Sequence, residues 1–94
     1  MPGTSVLFEN DRVRVWEMKV PPGGAMPEHT HELPYFYVVV DGAKMRIGDH
    51  SWHPDEGDAE FYEIESGKPK QDPRMVNEGQ TTHREIVVEL KDAG

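Results

Sequence analysis

His29 and His31 stand one residue apart, between the turn-forming Pro21-Pro22-Gly23-Gly24 and the apolar run Tyr35-Phe36-Tyr37-Val38-Val39-Val40. In an extended strand, alternate side chains share one face and lie about 6.5–7 Å apart, so two imidazoles leaning together can meet at one ion. A glutamate or a third histidine usually completes such a set. The candidate ions are divalent iron, manganese, nickel and zinc. A plainer reading is a pair of loop histidines beside acidic residues. The position after a Pro/Gly turn and ahead of a buried strand favours the metal site.

The other titratable groups are less well placed. Glu28 and Glu32 flank the pair at even positions, which point away in a regular strand. Asp72, beside Pro73, is a further oxygen donor. His50 and His53 sit in a polar loop and are expected in solvent. His83 is expected on the outer face of the last strand, away from the pair. Cysteine is absent, which excludes thiolate ligands, disulfides and cysteine catalysis. There is no Gly-x-Ser-x-Gly elbow and no phosphate-cradling glycine loop.

Short strands must position these groups. The pattern predicts strands at Val6–Glu9, Arg12–Val20, Tyr35–Val40, Ala43–Ile47, Glu60–Ile64, Met75–Asn77 and Arg84–Leu90, separated by Asn-, Asp-, Pro- and Gly-rich turns, Ser66-Gly67-Lys68-Pro69 among them. Many short strands with regular turns imply a sandwich or barrel. A hairpin is expected at Val40-Asp41-Gly42, with Gly42 left-handed. It would pair Val39 with Ala43, Tyr37 with Met45 and Tyr35 with Ile47. Parity puts His29, His31, Tyr35, Tyr37 and Val39 on one face. Tyr35, Tyr37 and Met45 then line a small-molecule pocket or, alternatively, simply fill the core. In the last strand, Ile86, Val88 and Leu90 are expected to face inward.

Bulk composition narrows the function. The 94 residues suit one domain over 1–94, small enough that a second subunit would help it bury surface. Eighteen acidic against ten basic residues give a net charge of −8, which disfavours nucleic acid and anionic membrane partners. No apolar run reaches the length of a membrane span. Met1-Pro2-Gly3-Thr4-Ser5 lacks the basic and apolar regions of a signal peptide, so the expected location is cytoplasmic.

The stretch Gly23-(x)5-His29-x-His31-(x)3-Tyr35-(x)6-Gly42 resembles the first motif of the cupin family, Gly-(x)5-His-x-His-(x)3–4-Glu-(x)6-Gly, with Tyr35 in place of glutamate. The lead-in Asn10–Glu17 and the ending Val76–Leu90 are similar to small single-domain cupins, some linked by name to β-alanine degradation. The resemblance implies an all-β, cupin-type jelly-roll barrel that forms a homodimer. It makes Tyr35 a candidate third ligand, although its phenol would have to lose a proton with a pKa of about 10. The second cupin motif ends in His-(x)3-Asn. Anchored on Asn77, it puts Pro73 at the histidine position with Arg74 beside it, and Arg74 is read as a surface arginine among acidic neighbours or, alternatively, as a guanidinium for a substrate carboxylate. The expected centre is therefore a reduced two-histidine site in a metal-dependent oxygenase or isomerase acting on a small organic molecule. The alternative is a non-catalytic binding module or structural dimer that has lost stable metal binding.

Overall fold

A computed structural model describes residues 3–65 and 67–91. Met1, Pro2, Ser66 and residues 92–94 fall outside it, and with them the first residue of the Ser66–Pro69 turn and part of the segment read for a signal peptide. The described residues form eleven strands and no helix: β1 Ser5–Glu9, β2 Val13–Val20, β3 Ala25–Met26, β4 His29–His31, β5 Tyr35–Asp41, β6 Met45–Ile47, β7 His50–Trp52, β8 Ala59–Tyr62, β9 Lys70–Asp72, β10 Met75–Asn77 and β11 His83–Leu90. No helix is long and apolar enough to cross a membrane.

The strands make three antiparallel sheets, ordered β1-β2-β11-β5-β8, β3-β10-β6-β7 and β4-β9. They surround one interior as a jelly roll, but hydrogen bonding does not close them into a continuous barrel. Alternation in β2 turns Trp16, Met18 and Val20 inward. Met18 and Val20 pack with Met26, Ala43 and Met45, which joins the two larger sheets. The turn into the histidine segment has the chemistry of type II: Pro22 sets the second position and Gly23, at φ 79°, takes the left-handed third. Its Gly24 N–H donates to the Pro21 carbonyl at 2.9 Å. Asn77 is fully buried and ties β10 to the end of β2, its amide donating to the Val20 and Thr81 carbonyls at 2.8 Å each.

Two sequence expectations are corrected. β5 and β6 do not form a hairpin: β5 pairs with β11 and β8, whereas β6 pairs with β10 and β7. The chain crosses between sheets at Gly42, whose φ is not left-handed. Glycine is required there for another reason, since a Cβ would lie 1.8 Å from the Pro54 carbonyl oxygen. The facing of β11 is also reversed. His83, Glu85, Val87 and Glu89 are buried, while Ile86, Val88 and Leu90 are half-buried on the outside. Paired hydrogen bonds make the polar face tolerable inside. Glu85 Oε2 accepts from His83 at 2.5 Å and Glu89 Oε1 accepts from the Trp16 indole at 2.5 Å.

A candidate metal centre built on two short strands

The β4–β9 pair sets His29 opposite Asp72 and His31 opposite Lys70. Because alternate residues share a face, all four side chains turn to the same side, and Thr30 and Gln71 are left exposed. Three donor atoms converge. His31 Nε2 lies 3.0 Å from His29 Nε2 and 3.0 Å from Asp72 Oδ2, and His29 Nε2 lies 3.4 Å from the same oxygen. Ligands about 2.1 Å from one ion are separated by about 3.0 Å at neighbouring octahedral positions and by about 3.4 Å in a tetrahedron. The observed spacings fall in that interval.

The proton inventory supports the same fit. His29 Nδ1 donates to the Pro27 carbonyl at 3.0 Å, which leaves a lone pair on Nε2. Asp72 offers only lone pairs while ionised. His31 is 3 % exposed and its Nδ1, buried, has no hydrogen-bond partner. With the proton on that nitrogen, three lone pairs meet and require a cation. In metal-free protein a proton can take that role. Accordingly the hydrogen bond to Asp72 raises the His29 pKa above its ordinary value, with the Pro27 carbonyl adding to it against the effect of burial. Burial alone would raise the Asp72 carboxyl, but hydrogen bonds from His29, His31 and Lys70 outweigh it and hold that carboxyl far below the usual range.

Aromatic rings and one lysine frame the centre. The Tyr35 ring stacks on His31 at 3.8 Å between centroids, and Tyr62 stacks on Tyr35 at 5.1 Å. Lys70 Nζ donates to the Tyr35 hydroxyl at 2.9 Å and to Asp72 Oδ1, and lies 4.2 Å from the Tyr62 ring centroid. Burial pushes the Tyr35 phenol upward despite this ammonium, and pushes Tyr37 up to about 12 with help from Glu60 and Glu85. Both tyrosines stay protonated at neutral pH. The centre opens into a cavity of about 630 Å³.

The structure distributes the sequence candidates unevenly. His29, His31, Tyr35 and Tyr37 all line the cavity, although β4 and β5 lie in different sheets. The Tyr35 hydroxyl is engaged by Lys70, and the third donor atom that converges with the two histidines belongs to Asp72. Met45 is a core residue with no exposure, away from the cavity wall, because β6 is not paired with β5. Arg74 is exposed between β9 and β10 and does not line the cavity. Glu28, Glu32, His50 and His53 are exposed. His83 is fully buried on the inner face but engages Glu85, not the histidine pair. Lys70 and Asp72 carried no strand signal, since Lys-Gln-Asp has no apolar alternation.

No family model and no curated protein sequence matches the chain. Solved structures do resemble it. A cupin domain from Bordetella pertussis Tohama I superposes with a TM-score of 0.73 at 24% identity, over 97% of this chain and 96% of that one. The polyketide cyclase RemF from Streptomyces resistomycificus gives a TM-score of 0.61 at 28% identity, over 88% of this chain but only 57% of the cyclase. An uncharacterized conserved protein with a double-stranded β-helix domain from Klebsiella pneumoniae gives 0.66 at 22% identity, over 96% and 77%. The chain therefore has the fold of these cupin-type, double-stranded β-helix domains.

Proposed function

We propose that this chain is a metal-dependent enzyme acting on a small organic molecule, with one divalent transition ion held by His29, His31 and Asp72. The observation that carries the reading is the convergence of three donor atoms within 3.0–3.4 Å of one another at the wall of a cavity. The ligand set is larger than the two histidines expected from the motif, because Asp72 supplies the oxygen that Tyr35 does not. Likeness to the cyclase adds an example of enzymatic chemistry on this fold.

When bound, such an ion supplies Lewis acidity toward a substrate oxygen. The chain's own residues do the rest. The Pro27 carbonyl fixes the His29 tautomer, and Lys70 orients Asp72 through the oxygen that does not face the histidines. Tyr35 braces His31 by stacking, and Tyr37 and Tyr62 supply an aromatic wall against which a flat or apolar substrate can lie. Elemental analysis of protein purified without added metal and without a histidine tag tests the reading. About one ion per chain is expected. Metal-free protein that takes up no zinc, iron, manganese or nickel on titration would leave a non-catalytic binding module as the better reading.

We further propose that the chain works as a homodimer. Phe8, Val15, Val88, Phe36 and Phe61 are neighbours from strand to strand across the whole five-stranded sheet. Phe8, Phe36 and Phe61 are 54%, 37% and 50% exposed, so the row lies on the outer face. Sedimentation velocity at several concentrations should show a dimer that Phe36→Lys shifts toward monomer. A wild-type monomer at micromolar concentration removes the proposal.

A further inference from the structure

Glu85 reaches the cavity from β11 and is 8% exposed, yet no lysine or arginine pairs with it among the described residues. Its Oε2 accepts a hydrogen bond from His83 Nε2 at 2.5 Å. That histidine is neutral in this arrangement, because its Nδ1 accepts the Ala43 N–H at 3.2 Å and so carries no proton. The second carboxylate oxygen has no hydrogen-bond partner among the described residues, and the residue lines the cavity. A buried carboxylate with one neutral donor is under-compensated, since desolvation of the charge is only partly offset.

The surroundings have the same sign. Asp58 and Glu60, both exposed, also line the cavity, and their side-chain partners among the described residues are neutral, the Asp55 N–H and the Tyr62 hydroxyl. Glu85 and Tyr37 stand on paired strands, Glu85 opposite Val39 and Val87 opposite Tyr37, and both line the cavity. Lys70, the one lysine in the cavity wall among the described residues, is already engaged by Asp72 and Tyr35. The cavity wall thus carries Glu85, Asp58 and Glu60 with no lysine or arginine paired to them among the described residues, alongside the Tyr37 ring.

From this buried cavity-wall carboxylate without a lysine or arginine partner we infer that the cavity takes a ligand bearing a cationic amine, with Glu85 as its buried counter-charge and Tyr37 as its aromatic contact. This deepens the enzyme reading by naming the substrate class, and it rests on that reading for the oxygen-bearing end that would face the metal. His83 is a positioning residue, holding Glu85 Oε2 and leaving the other oxygen for the ligand.

The test compares two matched probes, n-butylammonium and n-butanol, by NMR titration of metal-free and zinc-loaded protein. The ammonium should bind at least tenfold more tightly than the alcohol in both forms, with the largest amide shifts at Val39, Glu85 and Val87. Glu85→Gln, which still accepts from His83, should remove the preference. If that variant does not fold, the wild-type amide map carries the test alone. Equal binding of the probes, shifts centred elsewhere, or a preference that survives in a folded Glu85→Gln overturns the inference. Zinc stoichiometry measured on the same samples tests the metal reading separately. Failure of either result does not imply failure of the other.

Discussion

Asp72 lies directly across the β4–β9 pair from His29, and its Oδ2 approaches both imidazoles, at 3.4 Å from His29 Nε2 and 3.0 Å from His31 Nε2. This oxygen converts a pair of strand histidines into a three-donor face. Asp72→Asn keeps the shape but replaces an anionic donor by a neutral amide. Loss of a partner that merely orients a ligand costs about 10–100-fold in metal affinity, so loss of the ligand itself should exceed about 100-fold. Calorimetric titration with zinc measures it. Tyr35→Phe should change zinc affinity by less than about threefold, because the hydroxyl lies on Lys70. A large effect of Tyr35→Phe with little effect of Asp72→Asn would reverse the assignment.

The same contacts give metal-free and metal-loaded protein opposite responses to pH. In metal-free protein the His29 pKa is raised, chiefly by Asp72. Its contribution to stability is fully present below the unfolded value of about 6.5 and is lost as pH rises through the folded value. The Asp72 pKa is lowered, so its contribution is present above about 3.9 and is lost as pH falls toward the folded value. These are two views of one set of hydrogen bonds and count once. Metal-free protein should therefore be most stable between about pH 4 and 6.5 as far as this site decides. With zinc, protons compete for the same nitrogens, and added stability should grow as pH rises through the same range. Urea denaturation at pH 5.5 and 8, with and without zinc, should show the two slopes with opposite sign.

Much of this was legible in the sequence, and the exceptions share a cause. Alternation alone located β2, β5 and β11, and parity put His29, His31, Tyr35 and Tyr37 on a common side, where they line one cavity. Parity says which residues share a face but not which face is inside. In β11 the polar set won the interior because each of its members found a partner on another residue: His83 with Glu85, Glu89 with Trp16. Such pairings are long-range in part and leave no periodic trace. The β5–β6 hairpin failed for a related reason. Asp41-Gly42 looks like a turn, but this glycine is selected by the approach of Pro54 from a distant segment. Asp72 was visible only as a nearby carboxylate, because β9 owes its existence to pairing with β4.

The buried His83–Glu85 pair should be costly to break and cheaper to replace. His83→Ala removes the donor to a 92%-buried carboxylate and opens a cavity at a fully buried site. A loss of about 3 kcal/mol is expected, because the charged acceptor loses its buried hydrogen-bond donor. Replacing both members, as His83→Leu with Glu85→Met, removes the stranded charge and should cost less than the single change. Equilibrium denaturation measures both. A double variant weaker than His83→Ala would show that the pair contributes through packing shape more than through charge.

Two glycines offer a sharper comparison, since one is required by conformation and the other by space. Gly23 adopts φ 79° with nothing within 4 Å of an added Cβ. Gly23→Ala should cost about 1–2 kcal/mol, the penalty for a left-handed L-residue. At Gly42 an added Cβ would lie 1.8 Å from the Pro54 carbonyl oxygen and 2.8 Å from its carbon. That neighbour is backbone and Pro54 is itself buried, so it cannot swing aside as a side chain would. Gly42→Ala should cost more than about 3 kcal/mol, the upper end of ordinary overpacking. It should also displace the crossing from β5 to β6. Amide exchange would then increase along β6 and β7 ahead of β2 and β11, which pair over eight residues. A Gly42→Ala loss no larger than that of Gly23→Ala would mean that the crossing can move to accept a methyl group.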